Sequence, residues 1–293
     1  MRKTILIFTG IILFISAYFV SIILQKKDVP VNVMSFNIRY NNPGDGDNTW
    51  ANRKDIVAGM IRFHKADLVG TQEALKDQID DLVVRLPEYD WYGAGRDDGL
   101  SEGEFSAIFY RKDRFKVMES STFWLSETPD IPSKSWDSSL NRIVSWIKFS
   151  DNKTGKQFYH FNTHFDHRGE TARQESARLI LKKIGEIIGE FSVVITGDFN
   201  TLPGSEPFRI LTETGAGEST NTLFEAGSRS RTVHHGPTGS MSYFREAGTP
   251  GQMIDFIFIT REIEVIRHGV LSDTFDGRFP SDHMPVLAEI LIK

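Results

Sequence analysis

Apolar and polar positions along this chain switch between a period of two and a period near 3.6, and the switches mark out its elements. Residues 31–38 (Val-Asn-Val-Met-Ser-Phe-Asn-Ile) alternate as a half-buried strand does, with Asn37 near the end. Residues 41–48 are rich in Asn, Gly, Asp and Pro and predict a loop, whereas Ile56, Val57, Met60 and Ile61 share one face of a helix over 53–63. A strand over 67–73 and a helix over 76–86 follow. The middle of the chain reads as strands at 105–111, 115–125, 143–149 and 158–164, separated by turn residues. Ala177, Leu181, Ile184 and Ile188 define the clearest helix, over 171–188, and the apolar strand after it, 192–196, runs straight into Gly197-Asp198-Phe199-Asn200. Later strands fall at 254–259 and 286–292. The stretch 214–250, dense in Gly, Ser and Thr, predicts a mobile loop that contacts substrate. No internal repeat and no break in composition after residue 30 divides the chain, so one mixed α/β domain over 28–293 is expected.

Residues 4–24 follow neither period. They are 21 consecutive uncharged and mostly apolar residues, enough at about 1.5 Å of helical rise per residue to cross a hydrocarbon core of about 30 Å. No small-x-small cleavage site closes the stretch before Lys26-Lys27. The expectation is an uncleaved anchor within residues 1–27 with the rest outside the cytoplasm, or a secreted protein if the segment is removed.

Charge and cysteine content narrow the chemistry. The first 27 residues hold four bases and no acid, leaving 30 bases against 39 acids in the remainder, a net charge of −9. Long nucleic acid is gripped by releasing counterions onto a basic surface, so such a partner is open but disfavoured. With no cysteine, there is no disulfide, thiolate metal site or cysteine nucleophile, and any metal is held by oxygen and nitrogen.

Chemically competent side chains cluster at strand ends: Asn37, Gln72-Glu73, His164 with Asp166 and His167, Asp198 with Asn200, and Asp255; Asp282-His283 stands just before the last strand. Each alone has an ordinary explanation, since Asn37, Asp198 and Asn200 form turns and Glu73 suits a helix start. Asp255 inside an apolar strand is harder to dismiss, because a buried acid needs a partner, and His283 is the evident one. Together, Met34-Ser35-Phe36-Asn37, Thr71-Gln72-Glu73, residues 162–167 (Asn-Thr-His-Phe-Asp-His), residues 197–200, residues 254–258 (Ile-Asp-Phe-Ile-Phe) and residues 281–286 (Ser-Asp-His-Met-Pro-Val) resemble the ordered motif set of the endonuclease/exonuclease/phosphatase superfamily. The likeness spans about residues 31–293. Residues 48–53 and 123–129 resemble features of a bacterial subgroup of that superfamily.

The resemblance implies a four-layer α/β (α+β) sandwich, two packed and largely antiparallel sheets flanked by helices, with a metal-dependent phosphoester hydrolase site at one end. It implies Mg2+ or Mn2+ held mainly by Glu73 with Asn37 and Asp282, and His283 oriented by Asp255. Asp198 and Asn200 are expected to position water and hold a phosphoryl oxygen, and His164 to donate to another, partnered by Glu104. Asn37, Arg142 and His235 are candidate substrate contacts. Whether Asp198 or His283 is the base stays open, as does diester against monoester preference. His64, His160 and His268 are read as lacking chemistry; His234 and His235 are loop residues that either touch substrate or are solvated. The expected function is hydrolysis of a small or lipid-linked phosphate ester by a monomeric catalytic domain. An extracellular nuclease, a sphingomyelinase-like phospholipase and an inactive binding module are the alternatives.

Overall fold

The computed structural model describes residues 28–213, 222–245 and 252–293. The apolar stretch 4–24 lies outside these residues, and among the described residues no helix is long and apolar enough to cross a membrane.

Strand β1 (Val31–Asn37) is buried on both faces, not on one. Val31 and Val33 join an apolar cluster between two sheets, while Met34 and Phe36 join a second cluster beneath helices α1 (Trp50–Phe63) and α2 (Lys76–Arg85). The alternation in the sequence therefore separates two interiors. Ser35 and Asn37, both fully buried, are polar residues of a core rather than of a wet surface.

The remaining elements are β2 (Leu68–Ala74), β3 (Tyr89–Tyr92), β4 (Phe105–Arg111), β5 (Phe115–Trp124), β6 (Ile143–Asp151), β7 (Gln157–His164), α3 (Glu170–Ile187), β8 (Ser192–Asp198), α4 (Glu206–Thr212), β9 (Phe224–Glu225), β10 (Asp255–Ile259), β11 (Glu264–Val270) and β12 (Val286–Leu291). They form two six-stranded sheets, ordered β11-β12-β1-β2-β4-β3 and β5-β6-β7-β8-β10-β9. Each sheet has one parallel pair, β1 with β2 and β7 with β8, and every other pairing is antiparallel. A parallel pair needs a crossover, and α1 and α3 supply the two. The mixed, mainly antiparallel sandwich flanked by helices is the architecture expected.

Four elements went unforeseen: β3, β9, β11 and α4. They are short or carry polar residues at both parities, so no period stands out. Helix α1 starts three residues earlier than expected, because Trp50 is buried and its indole Nε1 donates to Asp81 Oδ2 at 3.0 Å. Residues Pro43–Asn48 form a 3-10 turn. The described part of the 214–250 stretch is pinned by main-chain bonds such as His235 N to His268 O at 3.1 Å and Met284 N to Ser240 O at 2.7 Å.

Beneath the ends of the parallel pairs the two sheets meet through polar side chains. A Cβ on Gly70 would lie 1.9 Å from Thr196 Oγ1 and 2.5 Å from Asn162 Oδ1 of the opposite sheet, so only glycine permits this approach. Asn162 Nδ2 donates to Thr71 O and Ala107 O at 2.8 and 2.9 Å, and its Oδ1 accepts from Gln72 Nε2 and Thr196 Oγ1 at 2.7 and 2.9 Å. Such a network fixes the register of one sheet on the other, because a slip leaves buried polar groups without partners.

His160 extends this layer, its Nε2 lying 2.9 Å from Thr196 Oγ1. Burial alone pulls its pKa from 6.5 to about 3, so the ring is neutral in the fold. The sign follows: between those pH values the unfolded chain binds the extra proton, so stability is full above pH 6.5 and falls as pH drops toward 3. At pH 4 the loss amounts to about 3 kcal/mol. His160→Gln is expected to flatten the fall in unfolding free energy between pH 6.5 and 4, measured by urea titration, and a slope equal to that of the wild type contradicts this assignment.

Candidate active site

Asn37, Glu73, His164 and Asp198 sit at the carboxyl ends of β1, β2, β7 and β8, the two parallel pairs. Side chains from both sheets thus converge over one end of the sandwich, where an α/β scaffold commonly places a ligand. Local backbone aims two of them. The β2–β4 register shifts between Thr71 and Ala74, an irregularity that holds Glu73, which has φ of 62°, and Asn200 has φ of 46°. Left-handed backbone at non-glycine residues is costly and persists where surroundings enforce it.

Asp198 is the hub. Its Oδ2 accepts from Asn37 Nδ2 at 2.9 Å and lies 3.5 Å from His164 Nε2 and 3.8 Å from His283 Nε2, while Oδ1 accepts from Asn200 N at 3.0 Å. Burial, reinforced by the charge of Asp255, pushes Asp198 up to about 7. His283 Nδ1 faces Asp255 Oδ2 at 2.8 Å, the pairing expected from the sequence, and Ser240 Oγ donates to the same oxygen at 2.5 Å. Burial by itself would lower the His283 pKa, but Asp255, with Asp198 and Asp282, outweighs it and holds the ring well above the ordinary value.

His164 takes the opposite course. Burial, together with Arg142 and Arg96, keeps it neutral. Asn200 Nδ2 lies 3.0 Å from its Nε2, and Glu104 Oε2 stands 3.8 Å from its Nδ1. With the amide donating to Nε2, the imidazole proton sits on Nδ1, on the Glu104 side. Glu104 is in turn held by Arg96 at 2.6 Å. Arg142 is anchored by Asp166 at 3.4 Å and lies 3.0 Å from His167 Nδ1, while its Nη1 is buried without a partner. Arg96, Glu104, Arg142 and His164 line one small cavity. A buried guanidinium nitrogen left unpaired beside a carboxylate cluster is suited to an anionic oxygen of a ligand.

On the other side of Asn37, Glu73 Oε1 accepts from Asn37 Nδ2 at 3.0 Å and Oε2 from Tyr40 N at 3.2 Å. The Arg39 guanidinium, clamped by Asp45 at 3.0 and 3.1 Å, reaches within 3.9 Å of Glu73 and 3.8 Å of Asp282. Asp282 is pushed up by burial and by Glu73. Hard oxygen donors with an excess of buried negative charge fit a divalent cation. Two further groupings bring ligand atoms within 4.8 Å of one another, Glu73 with His164 and Asp198, and Asp198 with Asp255 and His283. In the second, the His283–Asp255 hydrogen bond already engages both partners.

Every expected residue except His235 therefore falls in one connected group. His235 is exposed and bonds through its main chain to β11, and among the described residues no hydrogen bond or ion pair ties it to the cluster. Sequence reasoning missed Arg39, Asp45, Arg96 and Ser240. Arg39 and Asp45 lie within or beside a stretch that reads as loop, and Ser240 is one serine among many. It also left the role of Arg53 open. That side chain is 1% exposed and donates to the carbonyls of Ile38, Asn48 and Pro280, tying the end of β1 to the segment before His283.

A two-sheet sandwich with carboxylates, amides and imidazoles gathered at the ends of parallel strands has the form of a metal-assisted phosphoester hydrolase. The chain belongs to the Endonuclease/Exonuclease/phosphatase family, whose model matches residues 34–283. It is similar to a family protein of Bacteroides vulgatus, at 41% identity and a TM-score of 0.85 over 90% of this chain and 100% of that one. A mannosyl-6-phosphatase of Bacteroides thetaiotaomicron is 38% identical with a TM-score of 0.84, over 89% of this chain and 99% of that one. Among curated proteins, protein L388 of Acanthamoeba polyphaga mimivirus is 27% identical over 159 residues, 52% of this chain and 59% of that protein. Tyrosyl-DNA phosphodiesterase 2 of Danio rerio is 23% identical over 180 residues, 60% of this chain and 42% of that protein. The chain thus spans about half the length of the curated relatives it matches.

Proposed function

We propose that this protein is a metal-dependent phosphatase acting on a compact phosphomonoester of the sugar-phosphate class. The observation that carries the reading is the convergence on Asp198 of Asn37, His164 and His283, beside the unpaired Nη1 of buried Arg142. The acidic charge of the chain and its likeness to the mannosyl-6-phosphatase support a small substrate over long nucleic acid.

Glu73 and Asp282, with Asn37 beside them, would hold Mg2+ or Mn2+, which when bound neutralises charge on the phosphoryl oxygens. Arg142 Nη1 takes one phosphoryl oxygen. Asp198, raised into the neutral range, accepts a proton from the attacking water, since a base works best with a pKa near the working pH. As the P–O bond to the sugar breaks, His283, held cationic by Asp255, donates its Nε2 proton to the departing oxygen, where negative charge grows in the transition state. Asn200 and Glu104 orient His164 at the edge of the site.

The test is turnover by the full chain of mannose 6-phosphate, nitrophenyl phosphate, bis-nitrophenyl phosphate, sphingomyelin and plasmid DNA, each with Mg2+, Mn2+ or EDTA. Metal-dependent release of inorganic phosphate from the monoesters is expected. Cleavage confined to the diesters, sphingomyelin or DNA would replace this reading, and no turnover by folded, metal-loaded protein would leave a binding module. The apolar stretch 4–24 supports extending the proposal to a catalytic domain tethered outside the cytoplasm, for which protease sensitivity on intact cells is the check.

A further inference from the structure

A second group of titratable side chains lies where the edges of the two sheets come together. Glu225 stands on edge strand β9, His268 on edge strand β11 and His234 on the segment that runs between β9 and β10. Among the described residues none of the three shares a hydrogen bond or ion pair with the catalytic cluster. The Nδ1 atoms of His234 and His268 face each other at 3.2 Å, with ring centroids 5.3 Å apart, so nitrogen edges meet and ring faces do not.

The far nitrogens decide what lies between. His234 Nε2 is 2.8 Å from Pro237 O, and a carbonyl only accepts, so the His234 proton is on Nε2 and its Nδ1 is a lone pair. His268 is 4% exposed, and its Nε2 has no hydrogen-bond partner; the nearest charged group is Glu225 Oε1 at 3.7 Å. Main-chain amides of Gly227 and Ser228, at 2.6 and 2.7 Å, fix that carboxylate. Gly227 keeps the space open, since a Cβ there would lie 2.9 Å from both Glu225 Oε1 and His268 Nδ1. A carboxylate behind Nε2 favours the proton on that atom, leaving the His268 Nδ1 lone pair aimed at that of His234. A metal ion between two such lone pairs, or a proton on His268 Nδ1 in an ordinary N–H···N hydrogen bond, accounts for the 3.2 Å spacing.

We propose that His234 and His268 form a site for a divalent ion of the zinc class, with Glu225 as the carboxylate that orients His268. Imidazole nitrogens suit Zn2+ and its neighbours better than Mg2+. Ligand nitrogens about 2.0–2.1 Å from a tetrahedral ion stand roughly 3.3 Å apart, which the observed spacing matches. The carboxylate–histidine–metal arrangement is a recurrent way to fix the ligating tautomer. His234 is exposed, so solvent or a further ligand can complete the coordination. The ion would fasten the segment leading to Ser240 and Ser242, which bond Asp255 Oδ2 and the Asp282 carbonyl, onto β11.

The competitor for the position is a single proton, and calorimetry separates the two. Zn2+ is titrated into metal-stripped full chain holding excess Mg2+, for the wild type, Glu73→Gln, Glu225→Gln and His234→Ala. One equivalent is expected to bind in the wild type and equally in Glu73→Gln. Binding is expected to weaken about 10- to 100-fold in Glu225→Gln and to vanish in the exposed His234→Ala, which folds and keeps its Mg2+-supported state. A rise in Tm on adding Zn2+, present in the wild type and absent in His234→Ala, is the second readout. No Zn2+ uptake by the wild type beyond what Glu73→Gln removes, or equal uptake by His234→Ala, overturns the proposal.

Discussion

Asp198→Asn is expected to lower kcat by about a thousandfold or more while leaving the protein at least as heat-stable as the wild type. The loss of activity follows from the position of Asp198. Its carboxylate is the common neighbour of Asn37, His164, His283 and Asn200, and an amide cannot accept the proton of an attacking water. Removal of a general base commonly costs about 10²- to 10⁴-fold, and the hub also organises the groups around it. The stability term has the opposite sign. Asp198 is 1% exposed, and burial with Asp255 lifts it to about 7 from 3.8. Between these values the folded state binds the extra proton, so the carboxylate costs stability that grows as pH rises toward 7. The asparagine removes that cost, although its single carbonyl oxygen satisfies only one of the donors Asn37 Nδ2 and Asn200 N, a loss of about 1 kcal/mol. Steady-state kinetics and thermal unfolding at pH 5 and pH 8 check both halves. A marked fall in Tm at pH 8, where the wild-type carboxylate is charged, would show that it supports the fold, contrary to its raised pKa.

How far this site could be read in the sequence depends on what each residue does. Asn37, Glu73, His164, Asp198, Asp255 and His283 were legible because together and in order they resemble one family's motif set, whereas Asn37, Glu73 and Asp198 taken singly read as ordinary turn or helix-start residues. Asp255 even disclosed its partner, since a carboxylate within Ile-Asp-Phe-Ile-Phe is costly unless something nearby neutralises it. Arg96, Ser240 and Arg39 were not legible. They lie in segments without period, and only the fold brings Arg96 to Glu104 and Ser240 to Asp255. The topology hid in a similar way. No repeat is visible in the residues, yet β1–α1–β2 and β7–α3–β8 are the same unit, one in each sheet, and their carboxyl ends make the site. Strand β1 shows why one face was misjudged. A period of two says that two faces differ, and here both faces are buried, one against helices and one against the polar layer around Asn162. His160 and His268 were passed over as positions without chemistry. Their burial is set by packing across sheets, which no local pattern encodes.

Asp255→Asn is expected to cut kcat by about a thousandfold with little change in KM, and to move the alkaline limb of the pH profile toward lower pH. Asp255 lies outside reach of the phosphoryl group in the proposed mechanism and acts through His283, whose Nδ1 it holds at 2.8 Å. Its charge is the main influence keeping that ring protonated against the burial that would discharge it. An asparagine placed there loses the charge, so the His283 pKa falls and the cation disappears at a lower pH than in the wild type. Activity that depends on cationic His283 is then full only on the acid side and is lost earlier as pH rises. An amide that turns its NH2 toward Nδ1 leaves the proton on Nε2, so the ring still donates from that atom but without the positive charge that stabilises the transition state. Ser240 tunes the same carboxylate, donating to Oδ2, while Oδ1 is buried without a partner. Ser240→Ala should therefore give only a small loss in kcat, since Oδ2 keeps its contact with His283 Nδ1. The discriminating readout is the profile: a merely structural role for Asp255 would lower the active fraction equally at every pH, whereas a shifted alkaline limb with wild-type KM identifies it as the residue that sets the charge of His283.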